Sequence, residues 1–562
     1  MENIFLSTGP SAYDVSQDPI SGESLGVRYV SYRNIFRFLD QIDDVDTGLI
    51  VWPGGALAEK NTDRYGFEYE GLYNPETGKP SIADMMAIAI DKGAAFSVVL
   101  PTARYVGRED DLRDDVRGFM QDLLGGRYGE LPEKMILEIG NEYYGAFSEP
   151  SEQGAAADYA AIADIMITEI ANALADPAVN TGNFDLEIAV QSGRTLEDDA
   201  AIRDGLSEYA IANADMIVQH RFPATIEQVN DRLDTVEQII DSWEQEAAGL
   251  NSEAPELFLS EWNVAHLTRQ MVLEDFLQEP SSVEAGLTAA DVDLEGRTTT
   301  EFEQYWQDAI SRNAYGAEQP GLLLETFARY TELGMKAGGV YGIDVMHPGR
   351  MSWLGNDGED HRFVGGEMLK MLYESVDNTY LVDAGSADGA DDTITPYVFE
   401  NDDKLVVFIA AGGNATGTYT LDIQGLGEMY GSVWAERLGA EIQPDWMSDY
   451  GIVDNPEVDE TPEAMTYATP VREAADVQVN TLDDTLQLTV NAPYEVIRLA
   501  FAKTEAGAEE IASWSAIPEL PLVERALDDP VETGTPAEEG GGPDGGALDI
   551  GGMVLLALLF LL

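Results

Sequence analysis

The sequence contains no cysteine, and histidine is scarce, with four residues among 562. Without thiols the chain forms neither disulfides nor thiolate metal sites, so redox state cannot act as a switch. No pair of histidines has His-x-His or His-Glu-x-x-His spacing, so we expect no catalytic metal. Phosphate-binding, dinucleotide-binding and Gly-x-Ser-x-Gly nucleophile motifs are also missing, and we therefore expect no cofactor.

Positive charge is the other scarce property. The chain has 31 basic residues against 104 acidic ones, a formal net charge of -73, and only eight of the basic residues are lysines. Such a surface repels phosphate backbones, which excludes nucleic acid as an expected partner. A low-lysine acidic surface is typical of adaptation to salty surroundings, and we prefer this halophilic explanation to a specific ligand for the acidic surface.

The two ends of the chain differ in character. Residues 1–24 have neither a basic start nor a long apolar run, so we expect no secretory signal there. Residues 504–552 are predicted to be an acidic glycine-rich linker, and residues 553–562, "MVLLALLFLL", an apolar tail too short to span a bilayer. We interpret the tail as an export, sorting or attachment signal that contacts a membrane or an exporter. An extracellular or cell-surface location is expected.

Between residues 25 and 366, short apolar runs alternate with longer segments of helical periodicity, the pattern of repeated βα units. Seven runs are visible: 48–53, 95–101, 134–140, 186–192, 215–220, 256–261 and 338–346. Most are continuously apolar, as expected for parallel strands covered on both faces. An eighth strand within residues 25–32 would complete a (β/α)8 TIM barrel, with an open doubly wound sheet as the alternative.

Two segments depart from the βα pattern. Residues 367–503 contain strand-length runs separated by Asn, Asp and Gly turns, which predicts a C-terminal antiparallel β-sandwich domain. A long insertion, residues 271–320, follows the predicted seventh strand and carries Tyr305, Trp306 and Tyr315. Long connections at the carboxyl ends of barrel strands often form walls or lids, and we expect these aromatic rings to stack on a flat ligand.

Glutamates interrupt two predicted strands at their carboxyl ends. Glu142 follows the run "KMILEIGN", which we number as the fourth strand, and Glu261 ends "LFLSE", the seventh. All strand carboxyl ends of a TIM barrel face the same mouth, so the two carboxylates should meet there. One protonated and one ionised carboxyl suit glycoside hydrolysis with retention of configuration. A neighbouring amide such as Asn141 can bind the 2-hydroxyl of the sugar.

The motifs "EIGNE", "SEWN" and "WPGG" together resemble the retaining clan A (β/α)8 glycoside hydrolases. Within that clan they are most similar to the α-L-arabinofuranosidases and their xylosidase- and glucuronidase-like relatives. The resemblance implies that Glu142 is the general acid/base, Glu261 the nucleophile and Asn141 the ligand of the 2-hydroxyl. It also implies a polysaccharide or oligosaccharide substrate of plant or algal origin.

Further substrate-binding residues are expected around the barrel mouth. By the resemblance, Trp52 and the turn at Gly54 and Gly55 form part of the floor of the sugar subsite, although an ordinary tight turn is an equal alternative. His347 and Trp353 follow the eighth strand and face the predicted mouth. Trp353 could form a platform under a sugar ring or pack at the rim against the β-domain.

The sequence departs from the arabinofuranosidase pattern at two places. Val51 stands where those enzymes usually carry an arginine, and Phe222 stands near the place of a sixth-strand tyrosine that hydrogen-bonds the nucleophile. We expect Arg221 to orient Glu261 in their place and His220 to contact the substrate. Because of these departures, a noncatalytic surface carbohydrate-binding protein on a degenerate barrel remains the alternative function, and a purely structural exoprotein is a third.

Overall fold

Eight parallel strands close into a barrel, in which the first strand pairs with the second and with the eighth. The strands are Gly26–Arg28, Leu49–Trp52, Ala95–Leu100, Met135–Ile139, Glu187–Gln191, Met216–Arg221, Glu256–Trp262 and Met335–Tyr341. The predicted first strand within residues 25–32 is present, and the TIM-barrel prediction is confirmed. The alternative of an open doubly wound sheet is wrong.

The structure is a computed structural model. It describes residues 3–6, 16, 18–29, 39, 41–43, 45–54, 58–59, 80–147, 150–265, 269–292, 300–312, 316–343, 352–354, 360–382, 394–423, 426, 429–442, 468–480, 484–514 and 519–521. The predicted apolar tail, residues 553–562, and most of the predicted linker lie outside the described residues. Among the residues described, no helix combines the length and apolarity needed to cross a bilayer.

The strands are apolar on both faces because they lie between two cores. Leu49, Val51, Ile136 and Phe258 belong to a small cluster to which most of the barrel strands contribute. Their neighbours along the strands belong to the main core, which includes residues of the surrounding helices. The barrel region contains the helices Ile82–Lys92, Glu109–Leu124, Tyr143–Ala146, Ala155–Ala175, Leu196–Gly205, Glu208–Ile211, Ile226–Leu250, Gln319–Glu332 and Val364–Val376, and the short 3-10 helices Gly22–Leu25 and Ala103–Tyr105.

The C-terminal domain is a β-sandwich, as predicted, with a hydrophobic cluster between its two sheets. The larger sheet contains, in spatial order, Tyr380–Val382, Ile394–Glu400, Lys404–Ala411, Val496–Ala502, Tyr430–Ile442 and Ala468–Ala474, with Glu519–Pro521 also paired to Tyr430–Ile442. The smaller contains Asn3–Leu6, Gly417–Ile423, Thr485–Val490 and Val477–Asn480. All described neighbours in these sheets are antiparallel except Asn3–Leu6, which pairs parallel to Gly417–Ile423.

Two predicted boundaries differ from the structure. The N-terminal segment is not separate, because Asn3–Leu6 forms a strand of the sandwich. The linker does not begin at residue 504, since Glu505–Ser513 is a helix whose N-cap, Thr504, accepts a hydrogen bond from the Gly507 amide. Beyond it, Glu519–Pro521 pairs with a strand of the larger sheet.

Buried charged and polar groups connect the barrel to the sandwich. The Tyr397 hydroxyl, on the larger sheet, donates a hydrogen bond of 2.6 Å to Glu325 in the barrel helix Gln319–Glu332. Arg498, fully buried, lies 2.8 Å from Glu374 of the helix Val364–Val376 and also pairs with Glu436 of its own sheet. The main hydrophobic core runs from the barrel helices into this sheet.

The insertion after the seventh strand folds on a small core of its own. It contains the helices Arg269–Gln278, Pro280–Ala285 and Thr300–Arg312 and the 3-10 helix Ala289–Asp291. Trp306 is fully buried among Phe276, Phe302 and other apolar residues of this insertion, so it is not available for stacking on a ligand. Tyr305 is half-buried and donates to Glu279, and Tyr315 lies outside the described residues.

Candidate active site

Glu142 lies in a strained turn directly after the fourth barrel strand. Gly140 has φ +76°, and a Cβ at this position would lie 2.9 Å from the Thr102 hydroxyl oxygen, so the turn requires glycine. Glu142 itself has φ 48°, in the left-handed region that non-glycine residues rarely adopt. The turn leaves the side chain of Glu142 33% exposed at the barrel mouth. Tyr144 donates a hydrogen bond of 2.7 Å to its carboxylate.

Glu261 lies at the end of the seventh strand and meets Glu142 at the mouth. Its side chain is only 4% exposed. His220, the residue before the last one of the sixth strand, places Nδ1 3.3 Å from Glu142 Oε1 and 3.4 Å from Glu261 Oε2. A carboxylate oxygen of each glutamate and an imidazole nitrogen all lie within 4.8 Å of one another. The two strand-end glutamates singled out in the sequence therefore converge in space.

Arg28, on the first strand, is the cation beside Glu261. Its Nε lies 3.0 Å from Glu261 Oε1, and one of its terminal nitrogens donates a 2.8 Å hydrogen bond to Asn141 Oδ1. The other terminal nitrogen lies 3.4 Å from Glu138 and 3.2 Å from the Ser260 hydroxyl. A single buried guanidinium thus holds the carboxylate of Glu261 and the amide of Asn141 in fixed relative positions.

The hydrogen bonds around His220 favour protons on both ring nitrogens. Ser260 uses its only hydroxyl proton in a 3.0 Å hydrogen bond to Glu138, so His220 Nε2, 3.0 Å from the same hydroxyl, donates to it. Nδ1 faces the carboxylates of Glu142 and Glu261, which accept when ionised. The geometry therefore favours an imidazolium between the two glutamates.

The pKa values of His220 and Glu142 agree with this arrangement, whereas that of Glu261 is shifted the other way. Burial lowers the pKa of His220, but the charge of Glu261 and the hydrogen bonds to Glu138 and Glu142 outweigh burial and raise it to about 9. Burial raises the pKa of Glu142, but the hydrogen bond and charge of His220 hold it at about 2. Burial keeps the pKa of Glu261 raised against the charges of Arg28 and His220. Without substrate, His220 and Glu142 therefore form an imidazolium–carboxylate pair beside Glu261.

Glu59 supports the turn that carries Glu142. It accepts hydrogen bonds from the backbone amides of Thr102, Ala103 and Asn141 at 2.9, 2.9 and 3.1 Å. Burial nevertheless raises its pKa above the usual value. Glu59 therefore ties the ends of the third and fourth strands together.

Sequence reasoning missed Arg28, Glu138 and Glu59. The sequence carries a signal for Arg28 and Glu138, because each is a charged residue inside an otherwise largely apolar run, "LGVRYVSY" and "KMILEIG". A charge within a strand covered on both faces needs a buried partner. Glu59 lies in a segment without periodicity, and no comparable signal marks it.

The predicted substitute for the missing arginine is a different residue. The Arg221 guanidinium donates to the Tyr330 hydroxyl and, at 2.9 Å, to Gln219 Oε1. The ion pair with Glu261 is made by Arg28, so the prediction that Arg221 orients Glu261 is wrong. Arg221 emerges from the sixth strand farther along the chain than His220 and lies in a cavity beside the site. Phe222 packs edge-on against Tyr341, with ring centroids 5.7 Å apart.

The predicted sugar-floor residues are not confirmed. Trp52 is 1% exposed and belongs to the main hydrophobic core, so its indole face is covered in this structure. Gly54 is also buried. Gly55 and His347 lie outside the described residues. Trp353 lies in the short strand Ser352–Leu354, which forms a two-stranded sheet with Asp360–Arg362.

Three side chains of the site have a spacing that a metal ion could bridge, namely Glu142, His220 and Glu261. Both nitrogens of His220 donate hydrogen bonds in the arrangement described above. A protonated imidazole has no lone pair for a metal, so the hydrogen-bond pattern favours a proton-transfer site over a metal centre.

No protein-family model matches the chain, and no curated protein matches it in sequence. Solved structures do match. They include a family 51 α-L-arabinofuranosidase from Bifidobacterium longum, with a TM-score of 0.56 and 16% identity over 89% of this chain and 99% of that one. A monomeric β-xylosidase from Caulobacter crescentus matches with a TM-score of 0.51 and 12% identity over 89% and 99%.

A glucosidase from Croceicoccus marinus matches with a TM-score of 0.50 and 9% identity, over 90% of this chain and 100% of that one. At these identities the likeness concerns the fold, and it extends over the barrel and the β-domain together. The resemblance that the motifs suggested is confirmed at this level: solved structures that share the architecture are glycoside hydrolases.

Proposed function

We propose that the protein is a retaining glycoside hydrolase that cleaves a plant or algal polysaccharide, or its oligosaccharides, by double displacement. One observation carries the proposal: a carboxylate oxygen of Glu142 lies within 4.8 Å of a carboxylate oxygen of Glu261, at the carboxyl ends of the fourth and seventh strands. Retaining enzymes need the two carboxyl groups about 5–5.5 Å apart, whereas inverting enzymes need about 6.5–9.5 Å to admit a water. The spacing supports retention.

The surroundings of the two glutamates support different roles. Glu261 is the nucleophile, because it is buried and its carboxylate is held by Arg28 at 3.0 Å. Glu142 is the acid/base, because it is partly exposed at the mouth, where a leaving group and water have access. Asn141 Oδ1 accepts from Arg28, while its buried Nδ2 has no hydrogen-bond partner among the described residues. That free N–H suits the 2-hydroxyl of a bound sugar.

Glu142 must be protonated when the glycosidic bond breaks, and His220 can supply that proton. Nδ1 lies 3.3 Å from Glu142 Oε1, so transfer converts an imidazolium–carboxylate pair into a neutral pair of the same net charge. A bound sugar excludes water from Glu142, and a drier environment disfavours the ion pair. We therefore assign to His220 the role of a proton donor to Glu142.

The reaction then proceeds in two balanced steps. Glu261 attacks the anomeric carbon while the bond to the leaving oxygen breaks, and Glu142 gives its proton to that oxygen. In the second step Glu142 removes a proton from water, whose oxygen displaces Glu261 and releases the sugar with its original configuration. Arabinofuranosidase-like specificity is the finer part of the proposal, and it rests on the motifs alone.

The test is a product screen on plant and marine polysaccharides and on aryl glycosides, including α-L-arabinofuranosides, at several salt concentrations. Glu142→Ala and Glu261→Ala should each abolish turnover without unfolding the chain, whereas Glu284→Ala, at an exposed glutamate of the insertion, should not. Azide should restore activity to Glu261→Ala with inverted product. Azide rescue with inversion only in Glu142→Ala would exchange the two assignments.

The noncatalytic alternative loses one of its two supports in this structure. It was favoured by the missing second-strand arginine, yet Arg28 supplies a cation to Glu261 from the first strand. The replacement of the sixth-strand tyrosine by Phe222 remains. Glycan binding without any hydrolysis over a long incubation would establish the noncatalytic function and exclude the enzyme.

We further propose that the enzyme acts outside the cell or at its surface, in salty surroundings. The net charge of -73 supports the salty surroundings, because salt screens repulsion within an acidic chain. Urea unfolding at increasing salt should give a rising free energy of unfolding. A protein most stable at low salt would contradict this proposal.

A further inference from the structure

A cavity of about 600 Å³ opens beside the candidate acid/base. Its lining includes Glu142 and His220 of the site and three arginines, Arg194, Arg221 and Arg232. The nucleophile, Glu261, does not line it. The cavity therefore lies on the acid/base side of the site, where a retaining glycosidase accommodates the leaving group.

The three arginines have no carboxylate partner among the described residues. Arg194 lies over the ring of Tyr144, with its guanidinium carbon 4.3 Å from the ring centroid. Arg221 donates to the neutral side chains of Tyr330 and Gln219, which leaves one terminal nitrogen unused. Arg232 makes no hydrogen bond or ion pair with any residue that the structure describes.

Among the residues that the structure describes, arginines without a carboxylate partner are few, in a chain that has 104 acidic residues. Elsewhere in the described part, arginines at the surface and in the core pair with carboxylates. These are Arg28, Arg108, Arg113, Arg117, Arg127, Arg203, Arg329, Arg362, Arg437, Arg472 and Arg498. Of the arginines whose side chains the structure describes, one other, Arg104, lacks such a partner and instead donates to the Tyr105 hydroxyl. Three unpaired guanidinium groups around one cavity thus stand out against the acidic surface.

The lining also includes Asp231 and Glu142, so cations outnumber carboxylates among these groups even before His220 is counted. A planar guanidinium binds carboxylates and sulfates through paired N–H groups, whereas a neutral sugar offers it no charge to neutralise. Three aromatic residues also line the cavity, Tyr144, Phe222 and Tyr330, and Arg194 covers a face of Tyr144.

We infer that the substrate carries a negative charge, as a carboxylate or a sulfate ester, on the sugar that occupies this cavity on the leaving-group side. The inference rests on the proposed glycosidase function and specifies its substrate class. The anionic sugar completes the arginine cluster that the protein leaves unpaired, and an uncharged glycan of the same backbone gains none of these contacts.

The test compares matched glycans with the full-length protein at one fixed salt concentration. In the first arm, uronate-containing oligosaccharides are compared with their carboxyl-reduced forms. In the second arm, sulfated oligosaccharides are compared with their desulfated forms. Binding is measured by calorimetry with Glu261→Ala, and kcat/KM is measured with active protein. The two arms distinguish a carboxylate from a sulfate as the source of the charge.

Arg194→Gln and Arg232→Gln are the informative variants, because both side chains are exposed and their loss leaves no buried group unpaired. Each should weaken binding of the charged glycan and lower its kcat/KM by about 10-fold or more, since hydrogen bonds to charged groups contribute about 1.5–3 kcal/mol. The neutral glycan and aryl glycosides should change less than about 2-fold. Arg127→Gln, which removes an equal charge from a residue paired with Asp122, is the control.

Different results separate the two proposals. Equal kcat/KM on charged and neutral glycans, or a preference for charge that survives both arginine variants, would overturn the inference and leave the glycosidase proposal standing. Arginine-dependent binding of charged glycans without hydrolysis of any glycan would overturn the glycosidase and retain an anionic ligand. A preference for charge that is lost in Arg194→Gln and Arg232→Gln, but not in Arg127→Gln, supports both.

Discussion

Arg28 contacts Glu138, Asn141, Ser260 and Glu261 of the candidate site, so its replacement is a sharp test of the site. Arg28→Met keeps much of the length of the side chain and removes its charge and hydrogen bonds. The variant leaves Glu138 and Glu261 as buried carboxylates with His220 as their remaining nearby cation. It also removes the donor to Asn141.

The expected magnitude follows from burial. The side chains of Arg28 and Glu138 are 0% exposed and that of Glu261 is 4% exposed, so water cannot replace the lost cation. Removing one member of a buried charge pair costs about 3–5 kcal/mol of unfolding free energy. An opposite charge this close lowers the pKa of a carboxyl by about 1–3 units, so the pKa of Glu261 should rise by that amount in Arg28→Met.

The raised pKa of Glu261 in Arg28→Met should also change the pH dependence of activity. Glu261 attacks only when it is ionised, so the acidic limb of kcat/KM should move to higher pH by about 1–3 units in the variant. The unfolding free energy is measured by urea denaturation at fixed salt, because guanidinium chloride would change the ionic strength. The pH profile is measured on any substrate found in the product screen.

A double variant keeps the test independent of a general folding defect. Arg28→Met with Glu138→Gln removes one of the two buried carboxylates that lose Arg28 as a partner. The double variant should therefore be more stable than Arg28→Met alone, while its activity stays low. A loss of less than about 1 kcal/mol in Arg28→Met, or no recovery in the double variant, would contradict the buried-charge argument. An unshifted acidic limb would contradict the assigned contact with Glu261.

Three further predictions follow from individual contacts. His220→Asn should move the alkaline limb of kcat/KM, expected near the His220 pKa of about 9 in the wild type, to lower pH, because Glu142 loses its proton donor; an unmoved limb would exclude that role. Gly140→Ala should cost about 1–3 kcal/mol in urea unfolding, because φ is +76° and the new Cβ meets the Thr102 hydroxyl, and wild-type stability would refute this reasoning. Tyr397→Phe should cost about 1–3 kcal/mol by leaving Glu325 without its 2.6 Å hydrogen bond, and unchanged stability would show that the contact between barrel and sandwich is unimportant.

The positions of the two central glutamates could be predicted from the sequence because the rule that places them is local. A continuously apolar run indicates a strand covered on both faces, and the first polar residue after it marks the carboxyl end. The barrel then brings all such ends to one mouth. Predicting the positions of Glu142 and Glu261 required no information on packing beyond this rule. The structure brings a carboxylate oxygen of each within 4.8 Å of the other.

The partners of these glutamates could not be predicted in the same way. Arg28 and Arg221 are both arginines near strand ends, and nothing in the sequence decides which one faces Glu261. Which arginine contacts Glu261 depends on the side-chain alternation of the first and sixth strands, which are far apart along the chain. The first strand pairs with the eighth, and the sixth strand pairs with the seventh. The first strand turns Arg28 into the barrel, where its Nε meets Glu261 at 3.0 Å.

The burial of aromatic residues and the pairing of the short strands near the chain ends could not be predicted from the sequence either. Trp306 and Trp52 have the side-chain type and the sequence position expected of a sugar platform, yet both are buried in hydrophobic cores. Strand Asn3–Leu6 and strand Glu519–Pro521 carry short, unremarkable sequences that become strands only because edges of the sandwich are available to pair with them.

The sequence by itself determined the barrel, the sandwich and the two strand-end glutamates, because periodicity and strand ends are properties of neighbouring residues. Only the tertiary structure decided which charges meet: Arg28 with Glu261, His220 between two carboxylates, and three unpaired arginines around one cavity. Contacts of this kind join distant strands and loops, and their energies depend on burial that arises only when the chain has folded.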